Sequence, residues 1–335
     1  MIPVSVLTGF LGSGKTTLLG RLLRRPEFSR TAVIINEFGA VGLDHDLIET
    51  SDESFIRLQT GCLCCSIRGD LTLTLEDILQ RRRAGSVAPF ERVVIETSGL
   101  ADPAPILQAL MTDTTVASEL VLSGVVTTVD AVNGADTLGA HHESVKQVAV
   151  ADRLVLTKAD LVDGTSDLAV RLAAINPLAP VLTAKHGEID PALLFDGGLY
   201  DPTGKTADVH RWLEGTSHAH VHPSDRHAAD IACFAILREE PLPAATLSLF
   251  LEALSHHCGA DVLRVKGIVN IAEEPTRPAV IHGVQHVFHP PAWLERWPNE
   301  DRSSRLVFIT RRVPQRWVMA LLNAIDAEVR SQISG

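Results

Sequence analysis

Residues 4–23 read VSVLTGFLGSGKTTLLGRLL, and the reading of this stretch decides the rest of the chain. The apolar, Val-rich run over residues 3–8 has the composition of a buried strand. A Gly-rich turn follows, and a helix is expected from about Lys15 to Arg25. Between the two, Gly9 to Thr16 spell GFLGSGKT, a full match to G-x-x-x-x-G-K-[ST] between a strand and a helix, the context that pattern requires. Gly9, Gly12 and Gly14 let the backbone turn tightly, so that successive N–H groups converge on phosphate oxygens. The helix N-terminus adds partial positive charge at the same point. Lys15 is expected to reach the β- and γ-phosphates, and the Thr16 hydroxyl to bind Mg²⁺.

The whole chain has 335 residues, enough for two domains, with 45% hydrophobic and 21% charged residues. That balance supports a full core and argues against disorder. A net charge of -11, with no basic tract to offset it, argues against nucleic acid as a partner. Five cysteines, three of them crowded at Cys62, Cys64 and Cys65, do not make a secreted disulfide framework. They fit a reducing, cytoplasmic compartment and a metal or redox site. The N-terminal stretch lacks the basic start and cleavage site of a signal peptide. No run approaches the ~18 apolar residues of a membrane span, so no membrane partner is expected.

Further strands are expected at 31–36 (TAVIIN), 92–97 (RVVIET), 121–131, 152–158 and 179–184, with a helix at 71–83 and loop over 37–54. Alternating strands and helices predict an α/β P-loop nucleoside triphosphatase fold, a mostly parallel sheet flanked by helices, over residues 1–199. Residues 200–228 are polar and aperiodic and hold His210, His218, His220, His222 and His227; they read as a linker. Residues 229–335 follow the order β-α-β-β-β-α, a small α+β domain.

Three more segments carry chemistry. Glu96 ends the strand RVVIET, where a carboxylate that holds Mg²⁺ directly or through water belongs, and Gly99 can offer its N–H to a γ-phosphate. TKAD (157–160) sits where a guanine base is read. Asp160 can accept from guanine N1 and N2, Lys158 can lay its stem over the ring, and Thr157 stands where Asn is usual. The loop QTGCLCCSIR (59–68) offers Cys62, Cys64 and Cys65 to a thiophilic cation such as Zn²⁺, leaving one tetrahedral position open. Glu37, in INEFG, can add an oxygen or report on the nucleotide. A redox thiol pair and inert buried cysteines are the competing readings of the loop.

The set GFLGSGKTT, INEFG, GCLCCS, ETSGLADP, TKAD and RVKGIV resembles the CobW-type metallochaperone GTPases over nearly the whole chain. The resemblance implies binding of GTP and Mg²⁺, slow GTP hydrolysis, zinc or cobalt held at the cysteine loop, and delivery to a client metalloprotein. It implies phosphate and Mg²⁺ contacts from Gly12, Ser13, Gly14, Lys15, Thr16 and Thr17, γ-phosphate sensing by Glu96 and Gly99, and guanine contacts from Lys158 and Asp160. Thr157 is the departure, and it bears on the strictness of guanine selection. Two other functions use the same loop: a small-molecule kinase, and a metal-sensing regulator switched by nucleotide. The oligomeric state, a homo-oligomer included, is left open by the sequence.

Overall fold

The computed structural model describes residues 1–38, 55–60, 66–195 and 230–334. The chain falls into two compact units, Met1–Leu172 with Ala179–Tyr200, and Ala173–Leu178 with Asp201–Gly335. In the first, strands β1 (Ile2–Gly9), β2 (Thr31–Phe38), β3 (Phe55–Thr60), β4 (Arg92–Thr97), β5 (Leu120–Asp130), β6 (Arg153–Thr157) and β7 (Val181–Thr183) form one sheet. Their order is β3-β2-β4-β1-β5-β6-β7, and every pairing is parallel. Parallel neighbours need long crossovers. Among the described residues these contain α1 (Lys15–Leu23), α2 (Ser66–Arg83), α3 (Ala104–Thr112), α4 (Thr114–Glu119), α5 (Gly134–Ala140), α6 (His142–Val150) and α7 (Ser166–Ile175), with α8 (Pro191–Phe195) after β7.

Strands covered on both faces should be apolar almost throughout. β4 and β6 have apolar centres, VVI and LVL, and in β1, β4 and β6 all or nearly all residues are buried. On one face Leu7, Val33, Val94, Val126 and Val155 pack under Leu18, Leu19 and Leu22 of α1. β3 is the strand that apolar runs do not reveal. Its sequence FIRLQT carries Arg57 and Gln59, and among the described residues it is an edge strand that pairs only with β2. The pairing has one irregularity: Val4 of β1 pairs with Leu122 but Ser5 with Gly124, so Ser123 is an extra residue in β5.

The second unit is antiparallel. β8 (Ile231–Arg238), β9 (Val262–Val269), β10 (Ala279–Val284), β11 (Val287–Phe288), β12 (Ala292–Trp293) and β13 (Ser304–Arg311) make a six-stranded sheet in the order β11-β10-β9-β13-β8, with β12 beside β10. Helices α9 (Ala244–Cys258) and α10 (Gln315–Ser334) complete it. Phe234, Phe308, Val265 and Ile281 of the sheet share a core with Phe250 and Leu254 of α9 and with Val318 and Leu322 of α10. The expected strand over AVIHGVQHVFH is a hairpin: β10 and β11 pair Val284 with Val287 around a two-residue turn with φ +52° at Gln285.

Candidate nucleotide site

All seven strands of the first sheet end on one rim, so the residues just past their C-terminal ends share a surface. Gly9 ends β1 at that rim with φ +141°, and a Cβ there would lie 2.3 Å from the Thr128 hydroxyl and 2.4 Å from the Thr128 carbonyl. Glycine is therefore required by close contact as well as by backbone angle. Gly12 and Gly14 also have positive φ, and Gly14 leads into α1. Two hydroxyl contacts fasten the loop to neighbouring strands. Ser13 Oγ lies 2.7 Å from Thr128 Oγ1. The Thr157 hydroxyl donates to the Ser13 carbonyl at 2.7 Å. Beneath the loop, the Thr97 hydroxyl donates to Thr8 Oγ1 at 2.8 Å.

The Lys15 ammonium folds over the loop and donates to the carbonyls of Gly9 at 2.8 Å and Phe10 at 3.2 Å. Lys15 is only 7% exposed and Glu96 5%, so both expected phosphate-end charges are largely withdrawn from solvent. The Thr16 hydroxyl donates to Glu96 Oε1 at 2.6 Å. Two hard oxygens thus converge where Mg²⁺ was expected. They suit an ion that takes one or two protein oxygens and fills its octahedron with phosphate and water. Gly99 lies against the phosphate loop, where a Cβ would come within 2.6 Å of the backbone of Leu11. Thr17 follows Thr16 on α1 and is exposed.

At the other end of the rim, Lys158 has a left-handed backbone with φ +55° and donates to Asp130 Oδ2 at 2.7 Å. Burial alone would raise the Asp130 pKa. Hydrogen bonds from Lys158, Asn133 and the Val132 N–H outweigh it and hold the carboxyl below its usual value. Asp160 accepts from the His186 N–H at 3.2 Å and lies 3.2 Å from His186 Nδ1. The backbone hydrogen bond is the main reason its pKa is lowered, so Asp160 is an ionised acceptor. Thr157 turns out to be a structural link: its hydroxyl keeps the TKAD turn bonded to the phosphate loop.

Several contributors carried no motif. Thr128 and Asp130 close β5, whose polar end TTVD was the available signal. Lys146 and Gln147 reach the loop after β4 from α6, a long-range contact with no local pattern. A cavity of about 300 Å³ lies beside the loop, lined by Phe10, Ser13, Asp130, Asn133, Gln147 and Lys158 among others.

The sulfur loop is bracketed by Thr60, the last residue of β3, and Ser66, the first of α2. Cys62, Cys64 and Cys65 themselves lie outside the described residues, as do the linker histidines. Glu37 stands in β2 opposite Gln59, near the same rim. Elsewhere, burial pushes the Cys233 thiol up to about 12 and Cys258 up to about 11, values at which neither is a thiolate. Among the described residues no group of three or more His, Cys, Asp or Glu could hold a metal ion.

The way the Gly-rich loop leaves the central strand and meets a carboxylate from the next one defines a P-loop nucleotide-binding protein. Within that class, the chain belongs to the CobW/HypB/UreG family, whose nucleotide-binding domain matches residues 3–183. The cobalamin synthesis protein cobW C-terminal domain matches residues 231–326. The chain is 34% identical to the zinc chaperone YjiA of Escherichia coli, covering 95% of this chain and 97% of that one. It is 29% identical to the zinc-regulated GTPase metalloprotein activator 1 of Schizosaccharomyces pombe, over 88% and 80% of the two chains. The crystal structure of Zn(II)-bound YjiA GTPase superimposes with a TM-score of 0.70 at 31% identity, covering 97% of this chain and 98% of that chain.

Proposed function

We propose that this protein is a GTPase that loads zinc at Cys62, Cys64 and Cys65 and passes it to a client metalloprotein, with the nucleotide state setting metal affinity. The relatives' descriptions as zinc chaperones and as a zinc-regulated GTPase activator support the activity and the metal, with cobalt as the alternative cargo. The observation that carries the gating is topological. The residues on either side of the cysteine loop end β3 and begin α2, on the rim where β1 delivers Gly9 and β4 delivers Glu96.

In this reading Gly12, Ser13, Gly14, Lys15, Thr16 and Thr17 hold the phosphates and Mg²⁺. Mg²⁺, when bound, neutralises charge on the β- and γ-oxygens. Lys15 leaves its two carbonyls to meet phosphate, Glu96 orders water, and the Gly99 N–H senses the γ-phosphate. Lys158 and Asp160 hold guanine, and Glu37 links the nucleotide to the metal. The division at residues 199 and 229, with a histidine-bearing linker between, belongs to the same reading.

The test is zinc titration in the presence of a non-hydrolysable GTP analogue and of GDP. A tenfold difference in affinity corresponds to about 1.4 kcal/mol of coupling. Equal affinities in the two states would remove the gating. Cys64→Ala should lower zinc stoichiometry by one high-affinity site while GTP binding stays intact. Stoichiometry is the needed readout, because a variant of YjiA lacking one glutamate and two cysteines is also described as Zn(II)-bound.

A further inference from the structure

The loop Ser98–Asp102 follows Glu96 and packs Gly99 against the backbone of Leu11, but what holds it there is a helix that no motif marks. Gln147 of α6 is 1% exposed, and its amide nitrogen donates to two carbonyls of that loop, Gly99 at 3.2 Å and Ala101 at 3.0 Å. One residue earlier, the Lys146 ammonium pairs with Asp102 Oδ2 at 2.8 Å. The other Asp102 oxygen accepts from the Ala104 N–H at 3.0 Å, at the start of α3. The helix is itself tied to the sheet, since the Thr127 hydroxyl donates to the Gln147 carbonyl at 2.8 Å. The loop therefore has polar ties to β5 through α6 and to α3 through Asp102.

The surroundings make these ties matter. The cavity of about 300 Å³ separates parts of α5 and α6 from the phosphate loop, so close packing does not fill that side. Hydrogen bonds then carry the positioning. Gln147 is suited to the task because both of its amide hydrogens face carbonyl acceptors, which neither a carboxylate nor a methyl group could satisfy. We infer that Gln147 and Lys146 are positioning residues for GTP hydrolysis: they set the distance between the Gly99 backbone and the γ-phosphate without touching the nucleotide.

This inference rests on the hydrolysis reading above, and the experiment separates the two. Steady-state GTP hydrolysis and the affinities for fluorescent GDP and a fluorescent non-hydrolysable GTP analogue are measured for the wild type, Gln147→Met, Lys146→Met and Lys146→Arg. Loss of a hydrogen bond at a position that orients the reacting group should lower kcat about tenfold in Gln147→Met. GDP affinity should stay within about twofold, because the phosphate loop and base contacts are untouched, while preference for the triphosphate analogue falls. Lys146→Met, at a more exposed position, should show a smaller loss in the same direction, and Lys146→Arg should restore it. A purely structural role would lower thermal stability and both nucleotide affinities together. Wild-type kcat and wild-type triphosphate preference in folded Gln147→Met or Lys146→Met would overturn the inference. Absence of hydrolysis in the wild type would instead overturn the functional reading.

Discussion

The two ends of the proposed nucleotide site, one assigned to phosphate and one to the base, are built differently. At the phosphate end, Lys15 and Glu96 are nearly buried and are held by loop carbonyls and by the Thr16 hydroxyl. At the base end, Asp160 meets an exposed histidine, and Lys158 is more than a third exposed over Asp130. Buried charges have lost their hydration and gain strongly from a charged ligand, whereas exposed ones trade water for ligand at nearly equal cost. The phosphate end should therefore supply affinity, and the base end selectivity that can be tuned without rebuilding the fold.

The sharpest way to break this contrast is Lys15→Ala. Removing a desolvated ammonium that would make charge-assisted bonds to phosphate should weaken GTP binding by about 100-fold or more, read by calorimetry. A loss below tenfold would remove the distinction between the ends. Asp160→Asn comes next. The substitution replaces one acceptor by a donor, so GTP affinity should fall about tenfold or more while xanthosine triphosphate gains. Competition binding with both nucleotides measures it, and an unchanged GTP-to-XTP ratio would place base recognition elsewhere.

Thr157→Val tests the seam between the two ends. It removes a buried donor and leaves the Ser13 carbonyl short of a partner, costing about 1–3 kcal/mol. Thermal melting should show the loss, and Thr157→Ser should recover most of it. The smallest effect concerns Asp130. Its pKa is lowered on folding below the usual carboxylate value, so its interactions contribute stability above that usual value. They are lost as pH falls through the folded pKa. The melting-temperature gap between wild type and Asp130→Asn should hold near neutrality and narrow below about pH 4. A gap that widens on acidification would contradict the sign.

The phosphate end was legible because its chemistry is local. Eight consecutive residues fix loop, helix start, lysine and hydroxyl, and the apolar run before them fixes the strand. Glu96 was readable because a strand end places it. The ties from Lys146 and Gln147 were not, because they join residues more than forty positions apart and a helical Lys-Gln pair ordinarily faces solvent. The role of Thr157 was hidden for a similar reason. Sequence shows a missing asparagine, and only the fold shows what the hydroxyl reaches. In the C-terminal unit the order of the longer elements was readable, while the short strand β12 and the turn at Gln285 required the register of the pairing strands.

The extra residue at Ser123 has a reach beyond its own position. From there to the rim, every β5 residue is displaced by one place against β1, and this offset brings Thr128 opposite Gly9. Deleting Ser123 would slide the strand by a single position and turn each later side chain to the opposite face. The lock on Ser13 and the partner of Lys158 would both point the wrong way, although neither had been mutated. The fit of the phosphate loop is in this sense decided toward the opposite ends of the strands, by a length of chain rather than by a chemical group.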